Sequence, residues 1–401
     1  MTKAKQIVLF TSQSGIDIGN ALAQLNTNTG RKAEVFRAEG EKIGDVIRTF
    51  PISKDLLDNI NSRYAKSVGA IKSCEKDIAF VSVHCTFRTQ SAFHSSIEEF
   101  LKMLTEAKIQ VKGIVTLIDD FYSTYFRIRE YYRQRSIQET MNPLDVLYWR
   151  NIDLMLAHML ANQLGIRHYT ISVNHPLSLL TKLLFQKHTT IYAGHPISDI
   201  RRKGDAEQQA LMSRVNQEHL IPLSHHPGAV TFIPDTTDEF PIIGIPGTSM
   251  ANPPATIQEL RQRIWPKDWL NSDPPIASPV PDDVAGRYFD ELLTKIRSNS
   301  TLFQEAVLGQ ISDRDYRLVN QSTNFVFSLF REIPTSLGVE QELVQTRRYA
   351  DKNAYFFNPD SLQPGGGGSR PNWATHVTGE NSSIDEIIRV LPQNSDPSLF
   401  G

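Results

Sequence analysis

The chain is short of cysteine: Cys74 and Cys85 are the only two in 401 residues. So sparse a pair builds neither a disulfide framework nor a cysteine-rich metal site, and a reduced, cytoplasmic setting follows most simply. A surplus of either charge is also missing, with 42 Lys and Arg against 44 Asp and Glu. That balance provides no broad positive face for nucleic acid or an acidic membrane surface. Long hydrophobic runs are absent too. The first apolar stretch, Ile7 to Phe10, is too brief for a signal-peptide core or a membrane span. His84, His158, His168 and His175 fall at no ligand spacing, so no metal is assigned. What remains is an ordinary globular composition, 40% hydrophobic and 21% charged, with a length that suits two or three domains.

Residues 1–187 read as a first domain. Gln6 to Phe10 is a strand, Thr11 to Gly19 a loop of small residues, and a helix follows, the order that cradles phosphate in P-loop proteins. The chemistry of such a loop is missing. With Gly19 as its last glycine, Asn20 stands where the phosphate-binding Lys belongs and Ala21 where the magnesium-binding Ser or Thr belongs. Lys112 to Asp120 is an apolar strand ending in two acids, and Asp77 to His84 and Arg167 to Val173 read as further buried parallel strands. Pro143 to Leu164 has helical spacing with proline in its first turn. Strands alternating with helices predict a doubly wound α/β unit. The segment resembles a P-loop nucleotide kinase whose active loop has eroded, which implies a regulatory, nucleotide-sensing, dimerising or structural role. Two readings stay open for the run from Tyr122 to Arg135: a phosphate-clamping lid built on Arg127, Arg129, Arg133 and Arg135, or a solvated amphipathic helix. Asp119 and Asp120 are candidates for a metal at a strand end.

A second domain spans residues 188–358. The apolar run Phe325 to Phe330 leads into Pro334-Thr335-Ser336-Leu337-Gly338-Val339-Glu340-Gln341-Glu342-Leu343, read as strand, loop and helix start. This spacing puts Glu342 in the first turn, where unpaired N–H groups keep a carboxylate ionised. Upstream lie Asp313-Arg314-Asp315-Tyr316 and, earlier, Thr190-Ile191-Tyr192-Ala193-Gly194-His195-Pro196. These three segments, in this order, resemble the nucleoside 2-deoxyribosyltransferase superfamily, and most closely its 2'-deoxynucleoside 5'-phosphate N-hydrolase branch. The resemblance implies a Rossmann-like fold, so that the whole chain is expected to be α/β with two doubly wound parallel-sheet domains. It further implies Glu342 as the nucleophile at C1' of the sugar, Asp315 as the general acid toward the leaving base, Tyr192 as the holder of the Glu342 carboxylate, and Ser336 and Gly338 as the lining at the 5' end. His195 stands where the family usually has glycine and is counted as a substrate contact. Arg201 is the nearest candidate for a 5'-phosphate. Asp235, after the strand Ala229 to Pro234, is at the strand end where open α/β sheets keep ligands and is a candidate sugar or base contact.

Residues 240–284 form a proline-dense insertion, expected to act as a lid or a dimer contact, with Trp265 and Trp269 either stacking on a base or packing inward. Within it, Gly247 to Pro253 resembles the nucleophile segment of subtilisin-like proteases around Ser249. The other strings that a triad requires are absent, and the protease reading is rejected. Residues 359–401 hold a glycine-rich segment and a short helix opened by Ser383. In the resembled hydrolases a neighbouring subunit's serine completes the pocket, which implies a homodimer with Ser369 as the candidate. The expected activity is hydrolysis of the N-glycosidic bond of a nucleoside or nucleotide, with base transfer as a variant and no cofactor. An NAD glycohydrolase and a catalytically silent nucleotide sensor are the alternatives. Such an architecture suits control of nucleotide pools, phage defence included.

Overall fold

The computed structural model describes residues 5–13, 15–40, 54–89, 92–95, 97–136, 141–203, 205–243, 253–271, 273–333, 336–346, 352–362, 377–392 and 396–400. Ser249, Ser369, Pro334, Thr335 and the glycine run 365–368 therefore lie outside the described residues. Two compact units result, one from Met1–Asn174, Ile276–Ala306 and Phe400, the other from His175–Pro275 and Val307–Leu399. Among the described residues no helix is long and apolar enough to cross a membrane.

In the first unit β1 (Gln6–Ser12), β2 (Glu34–Arg37), β3 (Ile78–Ser82), β6 (Gln110–Ile118) and β7 (Arg167–Ser172) make a parallel sheet in the order β2-β3-β1-β6-β7. β4 (Thr86–Thr89) and β5 (Ala92–Ser95) form a separate antiparallel pair. The central strands are buried nearly throughout, because both faces of a parallel sheet are covered by crossover helices. A core of Ile7, Leu9, Ile60, Tyr64, Val81, Phe100 and Ile114 fills one such face.

The second unit holds β8 (Thr189–Gly194), β9 (Ala229–Phe232), β10 (Asn324–Ser328), β11 (Asn353–Phe357) and β12 (Gly379–Asn381), all parallel, in the order β12-β11-β10-β8-β9. The chain leaves β8 for β9 on one side and then crosses to β10 on the other. The order thus reverses between β8 and β10, opening a crevice at their carboxyl ends. Both units are accordingly Rossmann-like, as the alternation of strands and helices predicts.

Domain boundaries differ from those expected. The first unit ends at Asn174 rather than at residue 187, because the Leu177–Phe185 helix buries Leu180, Leu183 and Leu184 within the second unit. Lys182 there donates to the carbonyls of His226 and Ala229, at 2.7 and 3.2 Å. The stretch leading to Asp315 forms two helices, Asp282–Ser298 and Ser300–Gln321. The former belongs to the first unit, where Phe289 packs on Phe126 and Glu291 accepts from Tyr125 at 2.9 Å.

The proline-dense insertion contributes to the second unit's core. Trp265 and Trp269 are buried, with the Trp265 indole N–H donating to Asn216 Oδ1 at 2.7 Å. Inward packing wins because the large rings remove much apolar area from water, enough to leave the Trp269 indole nitrogen buried without a partner.

Candidate active site

Glu342 lies on the Leu337–Thr346 helix, whose buried positions are Val339, Glu342, Leu343 and Thr346. That spacing is the inner stripe of a helix, so the periodicity that buries Val339 and Leu343 carries the carboxyl inward with them. Glu342 falls in the second turn, and the acid of the first turn is Glu340. The expectation of a carboxylate kept ionised by the helix start is corrected accordingly. Burial, and then the neighbouring Asp315 carboxylate, push the Glu342 carboxyl well above the usual range, with Tyr192 and Arg314 working in the opposite direction.

Asp315 reaches the same place from the Ser300–Gln321 helix. Phe303, Val307, Ile311, Arg314, Asp315 and Leu318 are all buried, which again is one helical stripe. Arg314 donates through Nε to Asp315 Oδ1 at 2.9 Å and through Nη1 to the Thr237 carbonyl at 2.6 Å. Burial raises the Asp315 carboxyl, and the Arg314 guanidinium offsets part of that rise. The Asp315 charge is in turn one of the causes that keep a proton on Glu342.

Tyr192, on β8 beside Phe325 of β10, is fully buried beneath Glu342. Its phenol is pushed up by burial and by the Glu342 and Asp315 carboxyls. The Tyr192–Glu342 contact is electrostatically close without good hydrogen-bond geometry, and Tyr192 OH and Glu342 Oε2 lack a well-formed partner. At the end of β8, a Cβ on Gly194 would stand 2.4 Å from the Phe327 ring and 3.2 Å from Glu342 Oε2. Only glycine leaves room for the carboxyl there.

A cavity of about 280 Å³ opens at this crevice, lined by His195, Arg202, Asp315, Tyr316, Ser336, Gly338 and Glu342 among others. Its volume is near the lower end of the range for small-molecule sites. Five of the eight residues singled out from sequence thus border one cavity, with Tyr192 directly behind it. Ser336 caps its helix, accepting from the Val339 N–H at 3.2 Å.

Two residues are placed differently. Arg201 does not face the cavity: fully buried, it pairs with Asp238 and donates to the Arg263 carbonyl at 2.8 Å. The neighbouring Arg202 lines the cavity instead, 2.8 Å from Asp199. Asp235 is not a lining residue either, because its carboxyl is buried against the His195 ring. Arg314 went unmarked in the sequence. Its signal was available, since it shares the inner helical stripe with Ile311 and Leu318 and a buried arginine must have an anionic partner.

The first unit also has a cavity, about 360 Å³, at the ends of β1, β2 and β3, lined by Gly15 to Gly19, Arg37, Glu39, His84, Tyr131 and Arg135. Its loop does not present an open phosphate cradle. Asp17 caps the Ile18–Asn28 helix, accepting from the Asn20 N–H at 3.1 Å, and the Arg37 guanidinium covers Gly19. Asp119 and Asp120 serve structure rather than standing open to a metal. Asp119 is held by Arg127 at 3.0 Å and by Asn174 at 3.2 Å, while Asp120 caps the Phe121–Gln134 helix through the Ser123 N–H at 2.7 Å. That helix buries Phe121, Tyr122, Tyr125, Phe126 and Tyr132, as an amphipathic helix does.

Fold and site together define a two-unit Rossmann-like α/β protein in which two buried carboxyls, Glu342 and Asp315, border a cavity at the switch point of its second sheet. No protein-family model matches the chain, and no curated protein sequence does.

Proposed function

We propose that the second unit is an N-glycosidase that cleaves the bond between base and sugar in a nucleoside or nucleoside monophosphate. The observation that carries this reading is that Glu342 and Asp315, arriving from different helices, border one small cavity at the carboxyl ends of β8 and β10. Cleavage passes through an oxocarbenium-like transition state, which a close carboxylate stabilises and can trap covalently. Glu342 supplies that group in its ionised form. Arg314 and Tyr192 favour the charge. The likeness of three motifs to the 2'-deoxynucleoside 5'-phosphate N-hydrolases points the same way. Arg202 takes over from Arg201 as the cation available to a phosphate. A cytoplasmic homodimer acting in nucleotide-pool control belongs to the same reading.

The test is incubation with a panel of nucleosides, nucleoside monophosphates and NAD, followed by chromatography. Free base released from a nucleoside or its monophosphate, and lost with Glu342→Ala, supports the reading. Release of nicotinamide alone would favour an NAD glycohydrolase. If products are identical for the wild type and Glu342→Ala, the glycosidase reading fails and a silent sensor takes its place.

A further inference from the structure

Asp315, the acid expected to protonate the departing base, is already engaged by Arg314 through Oδ1. The guanidinium favours the charged form of Asp315 and so opposes the burial that would keep a proton on it. His195 offers the same cavity another donor. It follows the last residue of β8 and borders the cavity together with Glu342. Its Nε2 sits against Asp235 Oδ2, with both side chains at most 1% exposed, and both ring nitrogens are buried without a well-formed hydrogen bond. Trp265 packs on the ring at 4.9 Å, and the His219 ring lies edge-on at 6.3 Å. An imidazole set against a buried carboxylate at one nitrogen, and away from it at the other, has the groups that general acid–base catalysis uses.

The geometry points to His195 as the catalytic acid that protonates the leaving base through Nδ1, with Asp235 as its positioning residue. This inference rests on the glycosidase reading above. In the first half-reaction a Glu342 oxygen bonds to C1' while the C1'–N bond breaks. The electron pair of that bond leaves with the base, and the His195 Nδ1 proton transfers to it. In the second half-reaction His195 takes a proton from water as the water oxygen attacks C1' and the Glu342–C1' bond breaks. The sum is nucleoside and water giving free base and sugar, with histidine and glutamate restored. Asp315 and Arg314 then serve to set the charge on Glu342.

The experiment compares two leaving groups in the full-length chain. One is an ordinary nucleoside that the wild type cleaves. The other is the same nucleoside methylated at a base ring nitrogen, whose base departs neutral without receiving a proton. His195→Asn is expected to slow the first by about 10²-fold or more and the second by under about 5-fold. Asp235→Asn should show the same pattern at smaller size, which a merely structural role would not produce. Equal losses on both substrates for His195→Asn, or the leaving-group pattern appearing in Asp315→Asn instead, would overturn the assignment to His195 while leaving the glycosidase reading intact. A wild type that cleaves neither substrate would sink both.

Discussion

Replacing Glu342 by Gln should stabilise the second unit at neutral and alkaline pH while abolishing its turnover. The wild-type carboxyl is buried, faces the Asp315 carboxylate and has one oxygen without a well-formed partner. Its pKa in the folded chain is raised, so the folded state holds a proton that the unfolded state gives up. The stability this proton confers is complete below the ordinary carboxylate range and is lost as pH rises through the folded-state pKa. Glutamine keeps the shape and never ionises. The variant therefore avoids that loss, and Asp315 keeps Arg314 as its counterion. Leaving a buried polar group poorly satisfied costs about 1–3 kcal/mol, so the expected gain is about 2 kcal/mol above the carboxylate range. For a unit of this size that is roughly 4–8 °C in Tm. Thermal unfolding of both proteins from pH 4 to pH 9 reads it out directly. The gap should be small at the acid end and open as pH rises. A constant gap, or a glutamine variant that becomes the less stable one at high pH, would refute the argument that Glu342 is held against its charge. Turnover should fall by at least about a thousandfold in the same variant, as expected when a nucleophile is removed.

Arg201→Met should destabilise by about 3–5 kcal/mol, because it strands the buried Asp238 carboxyl. Denaturant titration measures this, and a folded variant of unchanged stability with a raised KM for a monophosphate would restore Arg201 as a phosphate contact. Gly194→Ala forces a methyl group into the Phe327 ring and toward Glu342 Oε2. It should cost about 1–3 kcal/mol in chemical denaturation and lower kcat more than it raises KM, and an unperturbed kcat would count against the close approach of Glu342 to β8.

Most of the fold was legible because buried parallel strands are continuous apolar runs. Phe325 to Ser328 and Gln6 to Ser12 are unambiguous in that respect. Of the residues that border the second unit's cavity, His195 follows a strand end and Ser336 and Gly338 stand at a helix start, which local sequence marks. What could not be read were consequences of tertiary pairing. Arg201 and Arg202 are adjacent and chemically alike, and only the position of Asp238 decides which one turns inward. Asp235 was assigned to the ligand because strand-end acids commonly are, whereas the neighbouring His195 ring claims it. Glu342 was read from its distance to the helix start, although the stripe of Val339, Leu343 and Thr346 already implied a buried carboxyl. The helix Asp282–Ser298 went to the wrong domain because contact with Phe126 leaves no mark in its own sequence.

Asp17 stands at the start of the first unit's first helix. The positive end of the Ile18–Asn28 helix is already compensated by a carboxylate from the same chain, and Arg37 stands 3.6 Å from that carboxylate. An incoming anion would meet the Asp17 carboxylate at the helix start, with Arg37 as the cation beside it. The side chains that line the adjoining cavity, Arg37, His84 and Arg135 among them, therefore lie beside a helix start whose charge is already partly met.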